Sequence, residues 1–432
     1  MLQLRARIAV CMSVICFLFV PALVLHGAVG GEIQGTKPVE DKFFQNGGKQ
    51  FTRVWGMQEG VGPVFTDGAC GRCHKEGFPG GSSARLLTFF GKINPDQTFD
   101  PLDGTGASHE NEGGLLLQPR SNQAFRQDCP QAGEVIPADA NAVELRAAPS
   151  TFGFGLIDAI DDQALKDQER FEKDNYSGDN IHGQAAVWTT YYATAVNKVG
   201  RFGRKAQMAN LIEMTAFAFA HDLGITNPIF QVEDLPQGQP IDAHCTDNTN
   251  TPNNPNTGSG GNGIFPLSHF MRYLAPPTPN SCDPNNDCGQ GQTVFTTIGC
   301  DKCHKQSYTT KASYQVQTDL SGTPFPSAAL SSQTVNLYSD LLLHDLGTID
   351  QGVIPPGYAN TGVATQSQWR TTPLWGLQVR THFLHDGRAT TLDGAIRGHS
   401  DGATGEAVSV INNYVALSDA DRTALLHFLK TL

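Results

Sequence analysis

A mainly α-helical fold with long irregular loops, divided into two domains, is what three features of this 432-residue chain predict. The first is length, which exceeds one small domain and supports two, each with a core of its own. The second is composition: 39% hydrophobic, with 46 glycines and 25 prolines, as in a globular protein rich in loops. The third is a pentapeptide that occurs twice, Cys70-Gly-Arg-Cys73-His74 and Cys300-Asp-Lys-Cys303-His304.

Two cysteines three apart, followed at once by histidine, form the pattern by which a c-type haem is attached. Each thiol adds to one vinyl group, and the adjacent histidine turns onto the iron. A zinc ribbon would separate its two Cys pairs by roughly 15–20 residues, whereas these lie more than 200 apart. Zinc also has no need of the trailing histidine. The pattern therefore predicts two covalently bound haem c groups in two cytochrome c-like haem domains. Cys70, Cys73, Cys300 and Cys303 would be the attachment points, and His74 and His304 the iron ligands.

The N-terminus reads as an export signal spanning residues 1–30. Arg5 and Arg7 give a positive start, Ile8 to Leu25 is almost unbroken apolar sequence, and Ala28 and Gly30 suit cleavage before Gly31. An uncleaved membrane anchor is the alternative, because the apolar run is nearly long enough to span a bilayer. Export predicts a periplasmic protein, in a compartment where disulfides persist. Cys282 and Cys288 bracket a turn-rich loop and suit a pair; Cys129 with Cys245 then follows only by elimination. The formal net charge is −12, and loss of Arg5 and Arg7 would make it −14. An acidic protein repels nucleic acid and suits a basic electron-donor partner.

Along the chain, Leu86 to Gln118 alternates apolar residues with Gly, Asp and Pro, which suggests loops and short strands over a haem. Helical periodicity appears over Ile157–Lys173 and Met208–Ala220. The polar run from Thr246 to Gly261 cannot pack a core. The domain boundary is placed just beyond it, giving an N-terminal haem domain with insertions at 31–278 and a C-terminal cytochrome c domain at 279–432. In the latter, a helix leads into Gly299. The chain closes with a helix capped by Ser418 and Asp421, whose Leu425, Phe428, Leu429 and Leu432 form one apolar stripe. A short helix starts at Thr390, with Asp393 three residues on. Its inner face would be Leu392, Ala395, Ile396 and His399, which puts a histidine toward a haem that has one ligand already.

Longer motifs carry a resemblance. Arg370-Thr-Thr-Pro-Leu-Trp-Gly-Leu and Phe383-Leu-His-Asp-Gly-Arg-Ala-Thr-Thr-Leu-Asp-Gly-Ala-Ile resemble segments of the bacterial dihaem cytochrome c peroxidase superfamily, which includes the methylamine-utilisation dihaem enzyme. The chain is most similar to the dihaem oxidoreductases often labelled "thiol oxidoreductase". Gly62-Pro-Val-Phe, Phe99-Asp-Pro-Leu, Arg146-Ala-Ala-Pro, Gly155-Leu-Ile-Asp-Ala-Ile, Gly200-Arg-Phe-Gly-Arg-Lys-Ala and Tyr338-Ser-Asp-Leu-Leu-Leu-His-Asp-Leu-Gly agree, so the match runs over roughly residues 60–432. The resemblance implies that His399 is the sixth ligand of the second haem, where relatives carry methionine or tyrosine. It implies that His344 lies in the distal pocket of the first haem as a proton shuttle. A histidine that blocks the first iron in the peroxidases has no counterpart here, since the next one is His109.

There are departures. The distal glutamine of the family falls on Met214. Its acid falls in His221-Asp-Leu-Gly, with no glutamate, so Glu213 is the substitute considered. Arg204 stands where related oxidoreductases carry tryptophan. Calcium, which the peroxidases hold between their haems, is possible: Thr371 and Pro373 persist, but Ala147 replaces an asparagine ligand. These readings together give a peroxidase-like oxidoreductase. Electrons from a small cytochrome or cupredoxin would enter at the second haem and pass to the first, where hydrogen peroxide is reduced. A pure electron carrier and an enzyme oxidising an organic or protein substrate are the alternatives. The "thiol oxidoreductase" label has no spare cysteine pair to support it. The oligomeric state is open.

Overall fold

The computed structural model describes residues 30–432 apart from 78, 97–98, 101, 103–114, 189–196, 232, 235–239, 246–262, 284–286, 320–321, 348–363 and 401–402. The export signal, His109 and the polar run lie outside the described residues.

The expected mainly α fold of two cytochrome c-like domains is corrected: of the described residues 34% are helical and 15% lie in strands, in ten α-helices, short 3-10 turns and several small sheets. The reason is local. Between the Gly and Pro punctuation the apolar runs are too short for helices, which need several turns of cooperative bonding, and they pair as short antiparallel ladders instead. The largest ladder joins Leu86–Ile93 to Ala142–Ala147 in register from Leu86↔Ala147 to Gly91↔Ala142, with Leu115–Leu116 and Phe99–Asp100 on the same central strand. Alternation along this strand sends Leu87 and Phe89 to one face, and both line the cavity beside the first pentapeptide.

The helices follow sequence signals with small shifts. The periodicity over Ile157–Lys173 is split into Phe154–Asp158 and Asp162–Asn175, because Asp161 accepts a bond from Gln163 N at 2.8 Å and starts a new helix. Leu211–His221 is capped by Asn210 on Glu213 N. Ser418 caps Asp419–Leu429 by accepting from Asp421 N. The short helix is Leu392–Arg397, capped by Thr391 rather than Thr390; Asp393 accepts from Tyr414 Oη and Arg397 Nε instead of closing a box.

Two apolar cores result. The larger packs Pro38–Thr52 across Ile264–Tyr273, and it also takes in Tyr308, Leu341, Leu342, Leu343 and Trp375. Gly47 permits that crossing, since a Cβ there would lie 2.1 Å from the Pro266 carbonyl. The smaller packs Asp287–Thr297 against Asp419–Leu429, with Phe295, Tyr338 and Phe428 edge to face. Among the described residues no helix is long and apolar enough to cross a membrane.

Disulfides join Cys129 to Cys245 and Cys282 to Cys288. The first links residues 116 apart and is fully buried, so it restricts the unfolded chain far more than the second, six-residue link. Replacing Cys129 and Cys245 with alanine is expected to cost about 2–5 kcal/mol. Denaturation of the double variant against the Cys282/Cys288 pair variant checks this, with the larger loss expected for the first.

Candidate functional site: two cavities built on the repeated pentapeptide

Each pentapeptide opens on a cavity. Helix Cys70–Cys73 leaves Cys70, Cys73 and His74 on the wall of one, with Phe89, Leu116, Met214, Phe217, Ala218 and Asp222 around them. The other is larger, about 1390 Å³ of empty space partly open to solvent. Cys300, Cys303 and His304 line it with Phe295, Leu377, Leu392, Ile396 and His399. Gly299, at φ +94°, turns the chain from the preceding helix into this pentapeptide; a side chain is strained in that region.

The four cysteines are free thiols. Burial pushes Cys70 and Cys300 up to about 12 and Cys73 and Cys303 to about 11. Redox-active thiols have depressed pKa values, so these pairs are poor thiol–disulfide centres. The two histidines are held alike. His74 Nδ1 donates to the Pro149 carbonyl at 2.8 Å and His304 Nδ1 to the Tyr338 carbonyl at 2.9 Å. Burial lowers both pKa values, His304 to about 4. Each ring is thus neutral, with its Nε2 lone pair available to a metal.

His399 comes to the same cavity as His304, from the turn just past helix Leu392–Arg397 rather than from the helix itself. Its Nδ1 donates to the Ala395 carbonyl at 2.7 Å, and the two ring centres lie 6.4 Å apart. A metal–imidazole bond is about 2 Å and a ring centre lies roughly 1 Å behind its nitrogen, so one metal between two imidazoles sets the centres roughly 6 Å apart. The observed spacing leaves room for one iron and no more. The cavity also carries Arg370 and Arg380, neither ion-paired to a carboxylate among the described residues. A haem fits this set: two thiols, opposed imidazoles, apolar walls, and cations for its propionates.

His344 does not lie at the first cavity. It lines the second, with Nδ1 3.6 Å from Cys303 Sγ. Glu406 takes Nδ1 at 2.6 Å, Asp340 takes Nε2 at 2.8 Å, and Glu172 lies 3.8 Å away. Burial opposes charge on this ring, but Cys303 and Asp340 outweigh it and hold the pKa well above the ordinary value. Burial, then the charge of Asp340, raises Glu172 to about 8. The result is an imidazolium held between Asp340 and Glu406, with the mainly protonated Glu172 of helix Asp162–Asn175 beside it. Ligand atoms of Cys303, Asp340 and His344 lie within 4.8 Å of one another, but both ring nitrogens are already engaged. The motif Tyr338–Gly347 forms a short strand, Leu343–Asp345, paired with Gln368–Arg370, and that pairing carries His344 to the second cavity.

Glu213 does not stand on the wall of the first cavity either. It is buried, yet Met214 and not Glu213 lines the first cavity. On helix Leu211–His221 the cavity face is Met214, Phe217 and Ala218, spaced i, i+3, i+4, and Glu213 lies off it. The acid that reaches the cavity is Asp222, whose side chain has no hydrogen-bond partner among the described residues. Burial pushes Asp222 up to about 7, against the pull of His221. Its position in His221-Asp-Leu-Gly is the signal in the sequence, an aspartate where the family carries a glutamate nearby.

Calcium does not fit where the resemblance implies it. Arg204 Nη2 donates to the Ala147 carbonyl at 2.9 Å, and Arg370 Nη1 to the Thr371 carbonyl at 3.0 Å. Two guanidinium groups therefore occupy the acceptors a divalent cation would need, and they would repel it.

No curated protein matches this chain. Among solved structures it is similar to hydrazine synthase from Kuenenia stuttgartiensis, at 12% identity and TM-score 0.39, with all of both chains covered. It is also similar to a MauG-like protein associated with microbial copper homeostasis, at 15% identity and TM-score 0.31, covering 69% of this chain and 91% of the other. Both likenesses are too distant to bear on function. The family model described as "Di-haem oxidoreductase, putative peroxidase" matches residues 128–432, from beyond the first pentapeptide through the second. With most of its length matched, two cavities each built on Cys-x-x-Cys-His, and thiols unsuited to redox exchange, the chain belongs to the di-haem oxidoreductase family.

Proposed function

We propose that this dihaem oxidoreductase works in the periplasm and reduces hydrogen peroxide at the first cavity with electrons received at the second. The observation that carries the reading is the asymmetry of the two cavities: His304 and His399 both line the second, their ring centres 6.4 Å apart, while among the described residues the first has His74 alone. Bis-histidine ligation closes an iron to substrate and suits electron transfer. A single imidazole leaves a face open.

In this reading Cys70 and Cys73 attach the first haem and His74 ligates it; Cys300, Cys303, His304 and His399 hold the second. The haems supply the redox chemistry. The chain supplies an apolar cavity and a proton carrier. Peroxide needs two electrons and two protons to become two waters. The Asp222 carboxylate at the cavity wall accepts the peroxide proton at Oδ and returns it to the departing hydroxide. A small cytochrome or cupredoxin is the electron donor that this reading requires. Two thioether additions should appear as two haem masses on the intact protein. One addition, or bound zinc, would overturn the reading.

A specific observation favours a second reading. Met214 reaches the first cavity, and a thioether there is an iron ligand of the kind found in electron-transfer cytochromes. With Met214 bound, the first iron is closed and the protein is an electron carrier. The oxidised spectrum separates the two. One high-spin and one low-spin haem, with rapid reaction on adding peroxide, supports the peroxidase. Two low-spin haems with a methionine–iron charge-transfer band, lost in Met214→Ala, supports the carrier.

A further inference from the structure

Three guanidinium groups, of the buried Arg370 and the half-buried Arg204 and Arg380, line the second cavity. Arg370 spends its bonds on the Gly203 and Thr371 carbonyls. The Arg380 side chain has no hydrogen-bonded or ion-paired partner among the described residues. Of the three, only Arg204 also lines the first cavity. Its Nη2 is held by the Ala147 carbonyl and its Nη1 only grazes Thr372 Oγ1 at 3.4 Å. Its Nε is buried with no partner. Arg146 nearby is neutralised by Glu144 at 2.6 Å, but no carboxylate pairs with Arg204. The charge of Arg204 is felt by His74 on one side and by His385, on the wall of the second cavity, on the other. Burial and the neighbouring arginines accordingly pull its own pKa to about 9.

A buried, unpaired cation is costly, and a structure keeps one only where an anion is to be met. A planar guanidinium has five donors in a fixed fork that matches carboxylates. Each haem brings two propionate carboxylates. Resting on the dihaem reading above, we infer that Arg204 binds a propionate from each haem at once, one edge of the fork turned to each cavity, and so couples the two redox centres. Arg204 is a positioning residue in this role. A cation shared in this way disfavours the extra positive charge of either oxidised iron, so its removal lowers both midpoint potentials together.

The test is a potentiometric titration of the wild-type holoprotein, Arg204→Met, Arg204→Lys and Arg380→Gln, with haem counted by intact mass. The expected result is two haems throughout, both midpoints shifted down in Arg204→Met, a smaller shift of both in Arg204→Lys, and only the second midpoint shifted in Arg380→Gln. One midpoint moving alone in Arg204→Met, or neither, overturns the inference. Should Arg204→Met fail to fold, Arg204→Lys decides by the same criterion. A wild type with fewer than two haems would instead overturn the dihaem reading itself.

Discussion

Alanine in place of His399 is expected to turn the second haem from low to high spin while both haems stay attached. His304 and His399 are aimed at one point by the same device, an Nδ1–H bond to a backbone carbonyl, and their centres are 6.4 Å apart. Truncating one leaves an iron with five ligands and a hole the size of an imidazole. The conversion should be close to complete for that haem, because nothing else on the Leu392–Arg397 helix can reach iron: its other inner residues are Leu392, Ala395 and Ile396. Electron paramagnetic resonance of the oxidised variant reads the spin state. Added imidazole should restore the low-spin signal, a rescue that a merely structural histidine would not show. An unchanged spectrum would make His399 a packed core residue and remove the asymmetry on which the peroxidase reading rests.

Asp222→Asn is the second large effect. If Asp222 carries the peroxide proton, its loss should depress turnover by about 10²–10⁴, with both haems and both spectra retained. The pH dependence has a definite sign. Burial raises this carboxyl to about 7, and only the carboxylate accepts a proton, so turnover should rise as pH passes upward through about 7. That limb should vanish in Asp222→Asn. Glu213→Gln should leave turnover within a few fold of wild type, as Glu213 is off the cavity. Turnover lost in Glu213→Gln but kept in Asp222→Asn would reverse the assignment.

His344→Ala is expected to act on stability. It would remove the imidazolium from between the buried Asp340 and Glu406, a loss of about 3–5 kcal/mol for a broken buried pair. A fall in Tm with the peroxide reaction of the surviving folded protein unchanged is the check. Loss of turnover at unchanged Tm would return His344 to a catalytic role.

The comparison of sequence with structure divides along a physical line. Chemistry written in contiguous residues was legible: the thiols and histidine of each pentapeptide sit at one cavity wall because three or four residues span a single turn. The short helix read from periodicity likewise leads to the cavity lined by His304, although it ends at Arg397 and His399 stands in the turn beyond it, its N–H bonded to the Ile396 carbonyl. Even so, the same reasoning, which suggested short strands over Leu86–Gln118, did not give the ladders they form or how far these make the fold mixed. Pairing Leu86–Ile93 with Ala142–Ala147 depends on segments about fifty residues apart, and no local pattern states which run meets which.

By itself, then, the sequence determined which thiols and histidine stand together at each pentapeptide, the ends of several helices and the short helix that leads to His399. Only the tertiary structure decided which cavity each remote residue serves. His344 went to the second cavity because its strand pairs with Gln368–Arg370; Met214, and not its neighbour Glu213, faced the first because a helix turns about 100° per residue. Arg204 came to lie between the cavities with its charge unanswered. The reason is the same in each case. Bond spacing along the chain is fixed by covalent geometry, whereas burial and counter-charge are set by segments that meet only when the cores close.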